Sequence, residues 1–268
     1  MDKKRKFEQI AKHIKEVRIQ GARNIAKAAL YAYSLIPTSG SVKKLLSLRP
    51  TEPMLVKVLS WAQKEPYQEI LKHFDLAQEK INKLVVKLIK DKDVIFTHCH
   101  STNVINALIC AKKKGKRFEV YNTETRPLFQ GRRTATELGK ARIKVTLFVD
   151  SALEDALTGE GKLKKVSLVL LGADALLVNG VINKIGSELI ARIAKDEKIP
   201  LYIIADSWKF TKNRIPIEER SLNEVWNKAP KSIKIKNPSF EFVRKKYITG
   251  IITEFGIMSY DKFVRKMR

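Results

Sequence analysis

Apolar positions in the first ninety residues recur three and four apart. Phe7, Ile10, Ile14 and Val17 fall on one helical face, and Gly21 breaks or bends the segment spanning 1–34. The small-residue stretch ARNIAKAALYAYSL resumes the helical period after it. Pro37, Ser39 and Gly40 mark a turn, and a short helix follows over 41–47. Pro50 and Pro53 bracket a loop in which Thr51 is placed to cap a helix over 53–63. The longest period covers 66–90, with Ile70, Phe74, Ala77, Ile81, Leu84, Val85 and Leu88 on one face.

From Asp91 the texture changes. Short β-branched runs at 94–98, 117–124, 144–150, 166–174 and 199–206 alternate with helical patterns at 103–114, 133–141, 151–158 and 186–197. Fully apolar strands separated by single helices predict a parallel sheet covered on both faces. Right-handed crossovers then give a doubly wound, Rossmann-like arrangement. The run KYITGIITEFGI (246–257) reads as one more strand and a turn into a C-terminal helix. The expected class is therefore α/β: an all-helical N-terminal domain over 1–90, then a Rossmann-like doubly wound parallel-sheet domain over 91–268. No internal repeat is evident.

The length of 268 residues and the 44% hydrophobic content support a sizeable core and argue against global disorder. No run of eighteen apolar residues is present, and the charged N-terminus lacks the features of a secretory signal. A cytoplasmic location is expected. In that reducing setting Cys99 and Cys110 are read as free thiols, and four scattered histidines offer no zinc spacing. No metal or other cofactor is called for. The net charge of +25 implies attraction for polyanions such as RNA, nucleotides, phosphorylated metabolites or an acidic protein surface. Lys-rich surfaces over Ile-rich cores also occur in heat-adapted proteins, and the basic residues are spread along the whole chain.

Ligands of open α/β sheets bind beyond the carboxyl ends of the strands. THCHS (97–101), TETRP (123–127), Asp150-Ser151 and GAD (172–174) stand at four consecutive strand ends, where they would converge on one pocket. Cys99 lies between two histidines and just before a helix, a setting that lowers a thiol pKa. The competing reading is a buried structural cysteine. Asp174, beside an apolar strand end, is a candidate acid or base; helix capping is its bland alternative. Arg126, followed by Pro127 and then Gln130 and Gly131, suits bidentate phosphate recognition, with Arg23 and Lys209 as further phosphate partners. Surface ion pairing is the plain alternative for each. In VNGVINKIGSELIARIAK (178–195), Asn179-Gly180 is a tight-turn dipeptide. Gly186 precedes a helix whose N-terminal amides could hold a phosphate, with Asn183 and Lys184 beside it.

Taken in order, THCHS, TETRPLFQG, the VDS segment, GADALLVNGVINKIGS and ADSWKF resemble a superfamily of three groups. These are the ribose 1,5-bisphosphate isomerases, the methylthioribose 1-phosphate isomerases, and the alpha, beta and delta subunits of translation initiation factor 2B. The likeness runs from about residue 91 to the C-terminus. It also touches RIQGARNIAKAA (18–29), similar to the phosphate-side segment of the isomerases, although Ile19 and Gln20 stand between Arg18 and Gly21.

The resemblance implies that Cys99 and Asp174 are catalytic; Gly21, Ala22, Arg23, Arg126, Gln130, Asn183, Lys184 and Lys209 are the candidate substrate and phosphate contacts. It implies an aldose–ketose isomerase for a phosphorylated pentose, most like the ribose 1,5-bisphosphate enzymes, with a homodimer or higher homo-oligomer; from the lack of a long apolar run, no membrane partner is expected. A nucleotide effector is compatible with it. The alternative is a non-catalytic subunit resembling the initiation factors, which would bind a nucleotide, a sugar phosphate, nucleic acid or an initiation-factor partner.

Overall fold

The computed structural model describes residues 2–50, 52–217 and 219–268, so the cap expected at Thr51 lies outside the described residues. Helix α1 (Lys3–Lys15) buries Phe7, Ala11 and Ile14 and is capped by the Asp2 carboxylate. The chain then breaks where the sequence indicates. Gly21 takes φ 84°, a left-handed value natural only to glycine, and caps α2 (Ala22–Leu35). Helices α3 (Ser39–Leu48) and α4 (Pro53–Trp61) complete a small apolar core around Ile25, Ala29, Leu45, Leu55 and Leu59.

Helix α5 (Tyr67–Leu88) joins the two parts of the chain. Its first half packs Ile70 and Phe74 against Ala22, Ala26, Leu30 and Val58. Its second half places Ile81 and Val85 in the apolar layer on one face of the large sheet, with Ile95, Val104 and Leu170. Among the described residues no helix is long and apolar enough to cross a membrane.

The alternation after Asp91 becomes β1 (Val94–Thr97), α6 (Thr102–Lys113), β2 (Glu119–Thr123), α7 (Gln130–Lys140), β3 (Lys144–Phe148), α8 (Leu153–Thr158) and β4 (Leu168–Leu171). Two elements absent from the sequence reading follow, β5 (Ala175–Leu177) and β6 (Gly180–Lys184). They pair antiparallel around the Asn179-Gly180 turn. Then come α9 (Ser187–Asp196), β7 (Leu201–Ile204), β8 (Phe240–Arg244), β9 (Gly250–Thr253), β10 (Gly256–Met258) and α10 (Tyr260–Met267).

The main sheet has the order β10-β9-β7-β4-β1-β2-β3, and every neighbouring pair is parallel except β9 with β10. Chain order therefore reverses between β1 and β4, the switch point of a doubly wound sheet. Strands β1, β2 and β4 are buried on both faces, as their apolar runs require. The edge strand β3 departs from that expectation: its Leu147 is exposed. Strands β5, β6 and β8 form a separate antiparallel sheet, with β6 in the middle. The hairpin β5–β6 is carried by the apolar runs on either side of Asn179-Gly180.

Candidate active site

Cys99 lies two residues beyond β1 and Asp174 three beyond β4, so the two flank the switch point. Both line one cleft enclosing about 1090 Å³ of empty space, including its mouth open to solvent. Gly172 makes that arrangement possible. A Cβ there would stand 2.5 Å from Ser101 Oγ, so only glycine lets the end of β4 press against the start of α6.

The backbone of Cys99 is clamped. Its N–H donates to Thr125 Oγ1 (3.1 Å) and its carbonyl accepts from Thr134 Oγ1 (2.7 Å). It sits at φ 63°, the left-handed region where a side chain costs about 1–2 kcal/mol. This conformation has a measurable consequence. In urea unfolding, Cys99→Gly is expected to be more stable than Cys99→Ala by about 1 kcal/mol, because only glycine relieves the strain. An alanine variant as stable as the glycine one would show that the residue is not strained.

The electrostatics around the thiol differ from the sequence expectation. Burial is the largest influence and pushes the Cys99 pKa up to about 12; Lys184 pulls against it, and Asp174 and Asp150 add to it. The flanking histidines do not act as cations. His98, 3% exposed, has its pKa pushed down to about 4 by burial. The Ile185 carbonyl can only accept, so His98 Nε2 donates to it (2.9 Å), and Nδ1 is left to accept from the Thr123 hydroxyl (2.5 Å). Burial and Arg133 also lower the pKa of His100. Cys99 is therefore a neutral thiol at rest, not a pre-formed thiolate.

Nine of the ten residues proposed from sequence line this cleft: Gly21, Ala22, Arg23, Cys99, Gln130, Asp174, Asn183, Lys184 and Lys209. Arg23 stands in the first turn of α2, where its guanidinium reaches Asp75 (2.8 Å) and Gln78 (3.3 Å) on α5. Gly21, the N-cap of α2, has no side chain with which to cap the helix. Lys209 is 6% exposed and donates to the Ala173 carbonyl (2.5 Å), which ties it beside Asp174. Asn183 donates to Ser187 Oγ (2.8 Å), and Ser187 donates in turn to the Lys184 carbonyl (2.6 Å). Gln130 presents a buried Oε1 that has no hydrogen-bond partner among the described residues.

Arg126 is the exception and lies outside the cleft. Its N–H and that of Thr125 are held by the Asp150 carboxylate (2.6 and 2.9 Å), and its guanidinium turns to the Val225 carbonyl (3.1 Å). Asp150 thus anchors the 123–127 loop from behind and does not enter the pocket. The anion site expected at the start of α9 is also taken. Glu241, from β8, accepts from the Glu188 N–H (2.8 Å), so the chain's own carboxylate occupies that helix terminus.

The sequence reading missed other cleft residues: Arg49, Glu52, His100, Asn103, Arg133, Arg220 and Glu224. Arg133–Glu137 and Arg220–Glu224 are four apart, a spacing that reads as ordinary pairing on a helix surface. Away from the cleft, His73, Asp206 and Glu254 bring their ligand atoms within 4.8 Å of one another. Both carboxylates there already accept protein N–H groups, Asp206 from Trp208 (2.9 Å) and Glu254 from Ser207 (3.1 Å). His73 stacks on Trp208 at 3.6 Å and reaches Asp206 (3.1 Å). The cluster is a hydrogen-bonded tie between α5 and the sheet.

The model of the initiation factor 2 subunit family matches residues 7–260. A ribose 1,5-bisphosphate isomerase of Methanocaldococcus jannaschii is 36% identical, over 91% of this chain and 89% of that protein. A methylthioribose-1-phosphate isomerase of Thermosipho melanesiensis is 32% identical, over 97% and 89%. Among solved structures, the translation initiation factor eIF-2B of Pyrococcus horikoshii OT3 superposes with a TM-score of 0.83 at 26% identity, covering 96% of this chain and 98% of that one. Matched along nearly its whole length, and with relatives above 30% identity, the chain belongs to the initiation factor 2 subunit family.

Proposed function

We propose that this chain is a cytoplasmic aldose–ketose isomerase acting on a phosphorylated pentose, with ribose 1,5-bisphosphate as its substrate. The observation that carries the reading is the placement of Cys99 and Asp174 at the switch point of the sheet, in one cleft lined by Arg23, Lys184 and Lys209. The relatives named as pentose-phosphate isomerases support it. The open N-terminus of α2, with Gly21, Ala22 and Arg23, suits one phosphate. The orphan Gln130 Oε1 suits a sugar hydroxyl. Assembly into a homo-oligomer belongs to the same proposal.

An aldose 1-phosphate has no free anomeric hydroxyl, so its ring must open with the phosphate still on C1. The resting proton is on sulfur. Asp174 shuttles it to the ring oxygen, the bond from C1 to that oxygen breaks, and a thiolate remains beside Lys184. The thiolate takes the proton from C2 and delivers it to C1 through an enediolate-like intermediate. The proton of the C2 hydroxyl returns through Asp174 to sulfur, leaving a ketone at C2. Every proton is accounted for and both side chains regain their starting state. Fixed cations hold the developing negative charge without reorganising.

The test is turnover by the purified chain, followed by carbon and phosphorus NMR, with ribose 1,5-bisphosphate and methylthioribose 1-phosphate in parallel. Conversion of the bisphosphate to its 2-ketose is expected, with the thioether substrate slower. Binding of either compound without conversion would favour a regulatory subunit, a reading that the +25 charge and the likeness to an initiation-factor structure recommend as the alternative.

A further inference from the structure

The cations of the cleft differ in depth, and Arg133 is the most exposed of them among the described residues. Lys184 and Lys209, 5% and 6% exposed, lie at the bottom beside the reacting pair. The Arg133 side chain lines the same cleft but is 54% exposed, which puts it at the rim. Arg133 is on α7, and Glu137, one turn later on the same face, receives its Nε–H (2.8 Å). The same carboxylate oxygen also receives His100 Nε2 (3.2 Å). Glu137 thus grips the guanidinium by one nitrogen. The two Nη groups have no hydrogen-bond acceptor among the described residues. A guanidinium held from behind with its outer edge free is pre-set for bidentate contact with a phosphate.

We infer that Arg133 is the contact for the second phosphate of a bisphosphorylated sugar, and so a residue that selects bisphosphates over monophosphates. The inference rests on the isomerase reading above. One phosphate goes to Arg23 and the α2 terminus, the reacting carbons sit over Cys99 and Asp174, and the other phosphate reaches the rim. A monophosphate with an uncharged far end leaves Arg133 in water and gains nothing from it.

The experiment compares wild type, Arg133→Gln and Arg133→Lys with ribose 1,5-bisphosphate and ribose 1-phosphate, by calorimetric Kd and by KM and kcat. Arg133→Gln is expected to raise Kd and KM for the bisphosphate about 10–100-fold, the range of a lost charge-assisted contact. Its kcat should stay within about 3-fold of wild type, and its Kd for the monophosphate should not move. Arg133→Lys keeps the charge without the fork and should recover part of the loss. An unchanged Kd for the bisphosphate, or an equal loss for both sugars, overturns the inference. If wild type turns over the bisphosphate and Arg133→Gln matches it, only this inference falls. If wild type neither binds nor converts the bisphosphate, the isomerase reading falls with it.

Discussion

Asp174→Asn is expected to lower kcat on ribose 1,5-bisphosphate by about 10²–10⁴-fold, and Cys99→Ala by a similar factor, with KM changing only a few-fold. Asparagine keeps the size and polarity of Asp174 but can neither accept nor release the travelling proton. Alanine keeps the left-handed backbone strain at residue 99 and removes only the sulfur. One proton moves between the two groups, so their losses should not multiply. The double variant is expected to be about as slow as the slower single one. Losses that multiply would mean that the two act in separate steps. Near-normal kcat in either single variant would remove that residue from the chemistry. The neutral resting thiol adds a second readout. With its pKa pushed up to about 12, Cys99 should react with iodoacetamide much more slowly at pH 8 than a free thiol does.

The doubly wound sheet was legible because its strands are buried on both faces and its helices follow the 3.6-residue period. Apolar runs such as VIFT and LVLL have no other use. The second sheet was not, because its strands are only three to five residues long, and β8 is separated from β6 by more than fifty residues. Asn179-Gly180 announced the turn, but nothing local announced the partner of β6. The site divides along the same line. The shared place of Cys99 and Asp174 in one cleft was readable because neighbouring strand ends of such a sheet open on one edge. Arg126 was misplaced because its direction depends on Asp150, twenty-four residues away, which fixes the loop backbone. The thiol pKa was misjudged for a related reason. Sequence shows two histidines beside Cys99, but only the fold shows that burial lowers the pKa of both. Arg133 escaped notice because a pair four apart on a helix looks the same whether it faces bulk water or a cleft.

His98 should make the protein acid-sensitive in a window that a single substitution removes. Its pKa falls from the ordinary 6.5 to about 4 because burial disfavours the charged ring. Between those values the unfolded chain binds a proton that the folded chain refuses. The stabilisation is therefore complete above pH 6.5, is lost as pH falls toward 4, and changes no further below that. Integrated over the window, the loss is about 3 kcal/mol. His98→Gln keeps an amide N–H able to reach the Ile185 carbonyl but does not titrate. It is expected to be less stable than wild type at pH 7, and its stability should fall less between pH 6.5 and 4. Urea midpoints taken at half-unit intervals, read as the difference between the two proteins, isolate this group from the carboxylates that titrate in both. Parallel curves would mean that His98 is charged in the fold or does not feel its burial. The residue also joins the end of β1, next to Cys99, to the turn before α9. Wild-type activity should therefore hold while the folded chain keeps His98 neutral and fade only as pH approaches 4, where the folded ring takes up its proton and Nδ1 can no longer accept from the Thr123 hydroxyl beside the thiol.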